Sequence, residues 1–109
     1  MSRALGDIAE ERASAFLRAD NYQIIERNFY TKHGEIDIIA LRDEVLHFIE
    51  VKSAKVYELA VQNMTPKKLE RVLYSCEVYL QKHKIQLDYV VDVIIVTPDA
   101  IKHIENITL

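Results

Sequence analysis

The chain has 109 residues, half of them hydrophobic, so it can bury one core but is too short for a second. Its net charge of −3 excludes a surface that is basic throughout, as a protein that wraps nucleic acid needs. The single cysteine, Cys76, excludes an internal disulfide and a cysteine-rich zinc site. We predict a single domain over residues 1–109, in a reducing compartment.

No apolar run approaches the roughly 18 residues of a membrane span, and charged residues already occur within residues 1–8. We therefore expect a cytoplasmic protein that does not contact a membrane. No two histidines have the three- to five-residue spacing typical of zinc ligands, so we interpret all four as ordinary surface or turn residues. They are His33, His47, His83 and His103.

The first half of the chain predicts a helix followed by a strand. Apolar residues recur at helical spacing from residue 5 to about residue 19. Glu10 lies beside this apolar stripe, whereas Glu11 falls on the opposite side of the helix. Residues 22–30 are rich in aromatic and branched side chains, which is typical of a strand, and residues 31–34 suit a hairpin turn.

The later elements follow from similar signals. Residues 35–41 and 45–51 are strand-like and are separated by a charged turn. Thr65 and Pro66 suit the start of a second helix. The apolar face of that helix comprises Leu69, Val72, Leu73, Cys76 and Leu80, which places the cysteine in the core. Residues 89–96 predict a strand buried on both faces, and residues 101–107 a short last strand.

A hairpin between the second and third strands would bring two acids together. If its turn is centred on residues 43 and 44 and has two or four residues, Asp37 faces Glu50 and Glu35 faces Lys52. Opposed Cβ atoms lie about 4.5–5.5 Å apart, so two carboxylates would stand side by side. Both faces also carry apolar residues: Ile39, Leu41, Leu46 and Phe48 on the acidic face, and Ile36, Ile38 and Ile49 on the other.

Adjacent carboxylates on an apolar sheet resist ionising together, and a hard divalent cation between them removes that cost. Lys52 projects to the same face roughly 6.6 Å beyond Glu50, where an ammonium could prepare a water or offset charge on a phosphate. Glu10 could reach the sheet from the first helix. This arrangement suits phosphodiester hydrolysis. From spacing alone, a cross-strand salt-bridge cluster on a solvated face, with Glu10 a plain surface residue, is the favoured interpretation.

Basic residues outnumber acidic ones between residues 52 and 71, which makes this segment a candidate nucleic-acid-binding stripe. The candidate contacts are Lys55, Lys67, Lys68 and Arg71, next to Lys52. Taken alone, such a cluster is more often a solvated helix face.

These motifs resemble the YraN-like family of small bacterial proteins. The segments that carry the resemblance are Glu10-x-x-Ala13, Gly34-Glu35-Ile36-Asp37, Glu50-Val51-Lys52 and the ending around Asp92 and Asn106. The family is similar to the PD-(D/E)xK nucleases, including archaeal Holliday-junction resolvases. The resemblance implies a restriction-endonuclease-like α/β fold, in which an antiparallel three-stranded meander and one or two further strands form a mixed central sheet flanked by helices.

The same resemblance implies the site. Asp37, Glu50 and Glu10 would bind Mg²⁺ or Mn²⁺ with the main-chain carbonyl of Val51, and Lys52 would help prepare the attacking water. The expected activity is a metal-dependent endonuclease acting on DNA, including branched structures. Junction-cleaving relatives act in pairs, so a homodimer through residues 89–96 or the second helix is a further expectation.

The sequence departs from the family pattern at four positions: Ala9, Asn21, Ala54 and Val90, of which the last two stand where arginines are common. The departures put substrate binding in doubt more than metal binding, because none removes a predicted ligand. A second hypothesis is therefore a non-catalytic module that retains the fold and binds nucleic acid or a protein.

Overall fold

In the computed structural model, residues 3–62 and 64–107 are described. The side chain of Leu5, which the sequence places on the first apolar stripe, lies outside this description, as do the first two residues of the charged segment 1–8. The elements in chain order are α1 (Arg3–Ala19), β1 (Gln23–Thr31), β2 (Gly34–Arg42), β3 (Val45–Ser53), α2 (Tyr57–Gln62), α3 (Pro66–His83), β4 (Asp88–Val96) and β5 (Ile101–Ile104).

The five strands form one sheet in the order β1-β2-β3-β4-β5. All neighbouring pairs are antiparallel except β3 and β4, which are parallel. A parallel pair needs a crossover connection, and here the crossover contains α2 and α3. The mixed sheet flanked by helices that the sequence predicts is confirmed, and it is consistent with a nuclease-like fold.

The two long helices cover opposite faces of the sheet. Helix α1 packs Ala9, Ala13 and Leu17, one residue per helical turn, against Ile38, Ala40, Ile49, Ile94 and Val96. Helix α3 packs Val72, Cys76 and Tyr79 against Phe29, Ile36, Ile39, Phe48 and Val91. The predicted core position of Cys76 is confirmed by its complete burial. None of the helices in the described ranges combines the length and apolar composition that crossing a bilayer requires.

The hairpin between β2 and β3 has a two-residue turn. Asp43 and Glu44 have φ angles of 51° and 64°, the left-handed conformation that matches the twist of a tight hairpin. The pairs run from Arg42–Val45 to Ile38–Ile49, which confirms the register expected from the sequence. Asp37 and Glu50 lie just beyond the last of these pairs.

The alternation of side chains along β2 breaks at Asp37. Ile38 packs on the α1 face, but Ile36 packs on the α3 face, so the expectation that both share a face is wrong. The neighbouring strand is irregular at the same level, where Asn28 has a φ of 57°, and β1 contains a second irregularity between Ile24 and Glu26. Asp37 therefore lies at an irregularity of β2 rather than on a regular strand face.

The start of α3 is as expected, since the Thr65 hydroxyl accepts a hydrogen bond from the Lys68 backbone N–H at 3.2 Å. Helix α2 has no counterpart in the sequence-based prediction. It buries Ala60 against Val93 and Ile95. The last strand ends three residues earlier than predicted, because the chain turns at Asn106 with a φ of 54°.

Candidate functional site

The central pair of the predicted site lies where β2 and β3 diverge. The backbone N–H of Val51 donates to Asp37 Oδ2 at 2.8 Å, so the aspartate side chain bridges to the neighbouring strand. Glu50 precedes Val51 and is partly buried. Its carboxylate also accepts a hydrogen bond from the backbone of Asp37. Each acid is thus held by the backbone of the other strand.

Glu10 and Glu35 complete an acidic cluster with Asp37. One carboxylate oxygen from each of the three lies within 4.8 Å of the others. Glu10 faces the sheet from α1, as expected, and its Oε1 is 3.7 Å from the Arg27 guanidinium. Glu11 is on the exposed side and pairs with Arg27 at 2.8 Å. The helix therefore brings only one of its two consecutive acids to the site.

Glu35 is a site residue that the sequence argument assigned only as the partner of Lys52. Glu35 and Asp37 are two residues apart on one strand, and this spacing alone favours a shared side. A hydrogen bond with the Glu35 side chain is one of the causes that raise the pKa of Asp37, after burial and the charge of Glu50. The Gly34-Glu35-Ile36-Asp37 segment contained this signal.

The acids hold protons more tightly than isolated carboxyl groups do. Burial, followed by the charge of Glu50, raises the pKa of Asp37 well above its usual range. Burial also raises the pKa of Glu50, although the nearby ammonium of Lys52 opposes the shift. The pKa of Glu10 is raised by burial and by Glu35, while Arg27 acts in the opposite direction. A bound cation would favour the charged forms instead.

Two of these oxygens have no hydrogen-bond partner among residues 3–62 and 64–107. They are Oε1 of Glu50 and Oε1 of Glu10, and both are buried. A buried carboxylate oxygen without a hydrogen bond carries a desolvation cost that a coordinated ion would offset. The donor set consists of carboxylate oxygens, which magnesium and manganese prefer. The residues present therefore fit a hard divalent cation.

A cavity of about 180 Å³ opens beside Glu50. Its lining combines Glu35, Glu50 and Lys52 with Lys68 and Arg71 from α3. Two of the predicted nucleic-acid-binding residues therefore lie at the mouth of the acidic cluster.

The other two predicted contacts lie elsewhere. Lys67 is exposed at the start of α3. Lys55 lines a different cavity, next to Arg12 and Thr97. The basic stripe of the sequence is therefore divided, and its Lys68 and Arg71 part is the one that borders the acids.

The interpretation of all four histidines as surface or turn residues is wrong for two of them. His47 and His103 are largely buried, and both contact Asp92, which is fully buried. The two histidines and Asp92 come from three different strands. His47 is 45 residues and His103 is 11 residues from Asp92 along the chain, so spacing rules for local zinc motifs could not detect the cluster. His33 does lie in the first hairpin turn, and His83 is exposed at the end of α3.

The comparisons with known proteins identify the family. The sequence model of the uncharacterised protein family UPF0102 matches residues 9–96. A UPF0102 protein of Sulfurimonas denitrificans is 57% identical over 109 residues, and one of Aliarcobacter butzleri is 51% identical over 110, each covering 100% of both chains. One from Wolinella succinogenes is 49% identical, again over 100% of both chains. The resemblance to the YraN-like family is thereby confirmed, and the chain belongs to the uncharacterised protein family UPF0102.

Proposed function

We propose that this protein is a magnesium- or manganese-dependent endonuclease that acts on DNA in the bacterial cytoplasm. The observation that carries the proposal is the partly buried Asp37–Glu50 pair, in which one buried glutamate oxygen has no hydrogen-bond partner among the described residues. Lys52 lies close enough to Glu50 to lower the pKa of that carboxyl, although burial prevails. Acids that bind a cation beside a lysine are the groups that phosphodiester hydrolysis needs.

In the proposed mechanism, Asp37, Glu50 and Glu10 would hold the ion, with Glu35 as a further acid and the Val51 carbonyl as a main-chain ligand. When bound, such an ion would supply Lewis acidity and lower the pKa of a water. Lys52 orients that water or offsets the negative charge that develops on the phosphate. Lys68 and Arg71 line the adjoining cavity, where they contact the DNA backbone and position the strand.

A cleavage panel tests the proposal. Linear, single-stranded, flapped and four-way DNA are incubated with the pure chain in Mg²⁺, Mn²⁺ or EDTA. We expect cutting with metal, none with EDTA, and none by Asp37→Asn. Glu11→Gln is the matched control, because this acid is on the exposed side of the same helix as Glu10 and should leave cleavage unchanged. Equal cutting by wild type and Asp37→Asn would exclude the site.

DNA affinity should depend on the start of α3. Changing Lys67, Lys68 and Arg71 together to glutamine should flatten the log–log salt dependence of binding by about 0.9 for each lost phosphate contact on duplex DNA. Fluorescence anisotropy at several salt concentrations measures this slope. The control removes Lys82 and Lys84, at the opposite end of α3, and should keep the wild-type slope. An unchanged slope in the triple variant would place the DNA on another surface.

The second candidate function is a non-catalytic module that binds nucleic acid or a protein. It is favoured by the net charge of −3 and by Ala54 and Val90, which stand where arginines are common. The same panel separates the two functions, because such a module would bind DNA without cutting it under any metal. Light scattering with and without DNA would show whether the chain acts as a homodimer.

A further inference from the structure

A second polar cluster is buried on the α1 face of the sheet. His47 Nδ1 and His103 Nε2 both lie against the same oxygen of Asp92, Oδ2, at 2.6 and 2.7 Å. The side chains of His47 and His103 are each 8% exposed, and that of Asp92 is 0% exposed. The second aspartate oxygen accepts a hydrogen bond from the Asn106 backbone N–H at 2.9 Å. The left-handed turn at Asn106 positions this N–H, so the chain bends to hold the aspartate.

Aromatic rings and one further acid surround this cluster. The Tyr22 ring contacts both imidazoles, with centroid distances of 4.9 Å to His47 and 5.7 Å to His103. The Tyr22 hydroxyl donates to Glu105 at 3.0 Å. Glu105 is about half exposed, at 52%, so it connects the buried group to solvent. The cluster therefore has an apolar wall and an acidic rim.

We propose that His47, Asp92, His103 and Glu105 form a metal site for a transition ion such as Zn²⁺ or Co²⁺, separate from the carboxylate site. One ligand atom from each of the four lies within 4.8 Å of all the others. Zinc bound tetrahedrally at about 2.0–2.1 Å needs ligand atoms about 3.3 Å apart. The imidazole nitrogens therefore need to move about 0.6 Å from the Asp92 oxygen to admit an ion.

Ligand chemistry separates this site from the first one. Imidazole nitrogens favour zinc and other later transition metals, whereas the Glu10, Glu35 and Asp37 cluster offers oxygens alone and suits magnesium or manganese. The two sites also use different side chains of β3, namely His47 and Glu50. The proposal therefore stands whether or not the chain is a nuclease.

His47, Asp92 and His103 can also satisfy one another's hydrogen-bonding groups without metal. In that state each imidazole donates a ring N–H to the ionised aspartate. Burial alone would raise the pKa of Asp92, but the hydrogen bonds from His103, His47 and the Asn106 backbone lower it to about 2. A metal ion would bind a lone pair on those same ring nitrogens instead, so the two arrangements exclude each other. The competing explanation is therefore a purely structural hydrogen-bonded cluster, and metal binding distinguishes the two.

The test is metal binding by the full chain after removal of metal with a chelator. Co²⁺ titration should give visible absorption bands of a nitrogen-ligated, low-coordinate ion, and equilibrium dialysis should give one bound Zn²⁺. Asp37→Asn should retain both signals, because it alters only the other site. His103→Gln should lose them, and Glu105→Gln should weaken binding about 10-fold or more. His83→Gln, at an exposed histidine, is the matched control.

Absence of the cobalt bands in wild type would overturn the proposal without reference to any variant. Zinc binding by a folded His103→Gln chain as tight as in wild type would overturn it as well. If His103→Gln does not fold by circular dichroism, the half-exposed Glu105→Gln variant decides the outcome, and unchanged zinc affinity there would overturn the four-ligand site.

Discussion

Lys52→Ala is expected to slow metal-dependent DNA cleavage by roughly 10²–10³-fold while DNA affinity changes little. Lys52 lines the cavity beside Glu50, where its charge can act on the reacting phosphate or its water. Such an interaction strengthens in the transition state, so its loss lowers the turnover rate more than binding. Single-turnover rates and anisotropy measurements on the same DNA separate the two effects.

The pH profile gives this prediction a second readout. Lys52 lowers the pKa of Glu50, so its removal should raise that pKa further. Since an ionised Glu50 is needed to bind the cation, the acid limb of the residual activity should move to higher pH. Lys55→Ala, which removes a charge from another cavity, should keep both the rate and the profile. Wild-type turnover by Lys52→Ala would make the catalytic assignment wrong and favour the non-catalytic module.

Millimolar Mg²⁺ or Mn²⁺ is expected to raise the melting temperature of the wild-type chain, and Asp37→Asn should abolish the rise. An ion at one hundred times its dissociation constant stabilises the folded state by about 2.7 kcal/mol. For a domain of this size that corresponds to roughly 10 °C or more. Differential scanning fluorimetry in EDTA and in each metal measures the shift. Asp99→Asn removes an exposed carboxylate instead and should respond to metal as wild type does.

Without metal, the Asp37–Glu50 pair should lower the stability of the folded chain at neutral pH. The pKa values of Asp37 and Glu50 are raised on folding, so the folded chain binds protons more tightly than the unfolded chain. Their contribution to stability is therefore greatest below the ordinary carboxyl pKa and is lost as pH rises through the raised values. Asp37→Asn should melt higher than wild type in EDTA at neutral pH. A wild-type melting temperature that is insensitive to millimolar metal at every pH would remove the main support for the site.

Local signals account for what the sequence predicted. A threonine and a proline define the start of α3, and the two-residue turn at Asp43 and Glu44 sets the β2–β3 register. That register then brings Asp37 and Glu50 to the same level of adjacent strands. Each of these features depends on residues close together in the chain, which is why periodicity and turn chemistry could identify them.

The features that were missed depend on distant parts of the chain. His47 meets Asp92 only because β3 and β4 are parallel neighbours, and the crossover between them leaves no periodic signal. His103 joins them through the antiparallel pairing of β4 with β5. Helix α2 has only six residues, too few for a clear apolar period. The irregularity at Asp37 likewise lies opposite Asn28 of the neighbouring strand, whose left-handed conformation has no periodic signal in the sequence.

The irregular backbone of β1 also affects how the protein behaves at high concentration. This strand is at the edge of the sheet, where unpaired N–H and carbonyl groups can act as a template for another chain. Its bulge between Ile24 and Glu26 and the left-handed Asn28 interrupt the flat ladder that such pairing requires. The irregular backbone of β1 therefore also protects the molecule against edge-to-edge aggregation.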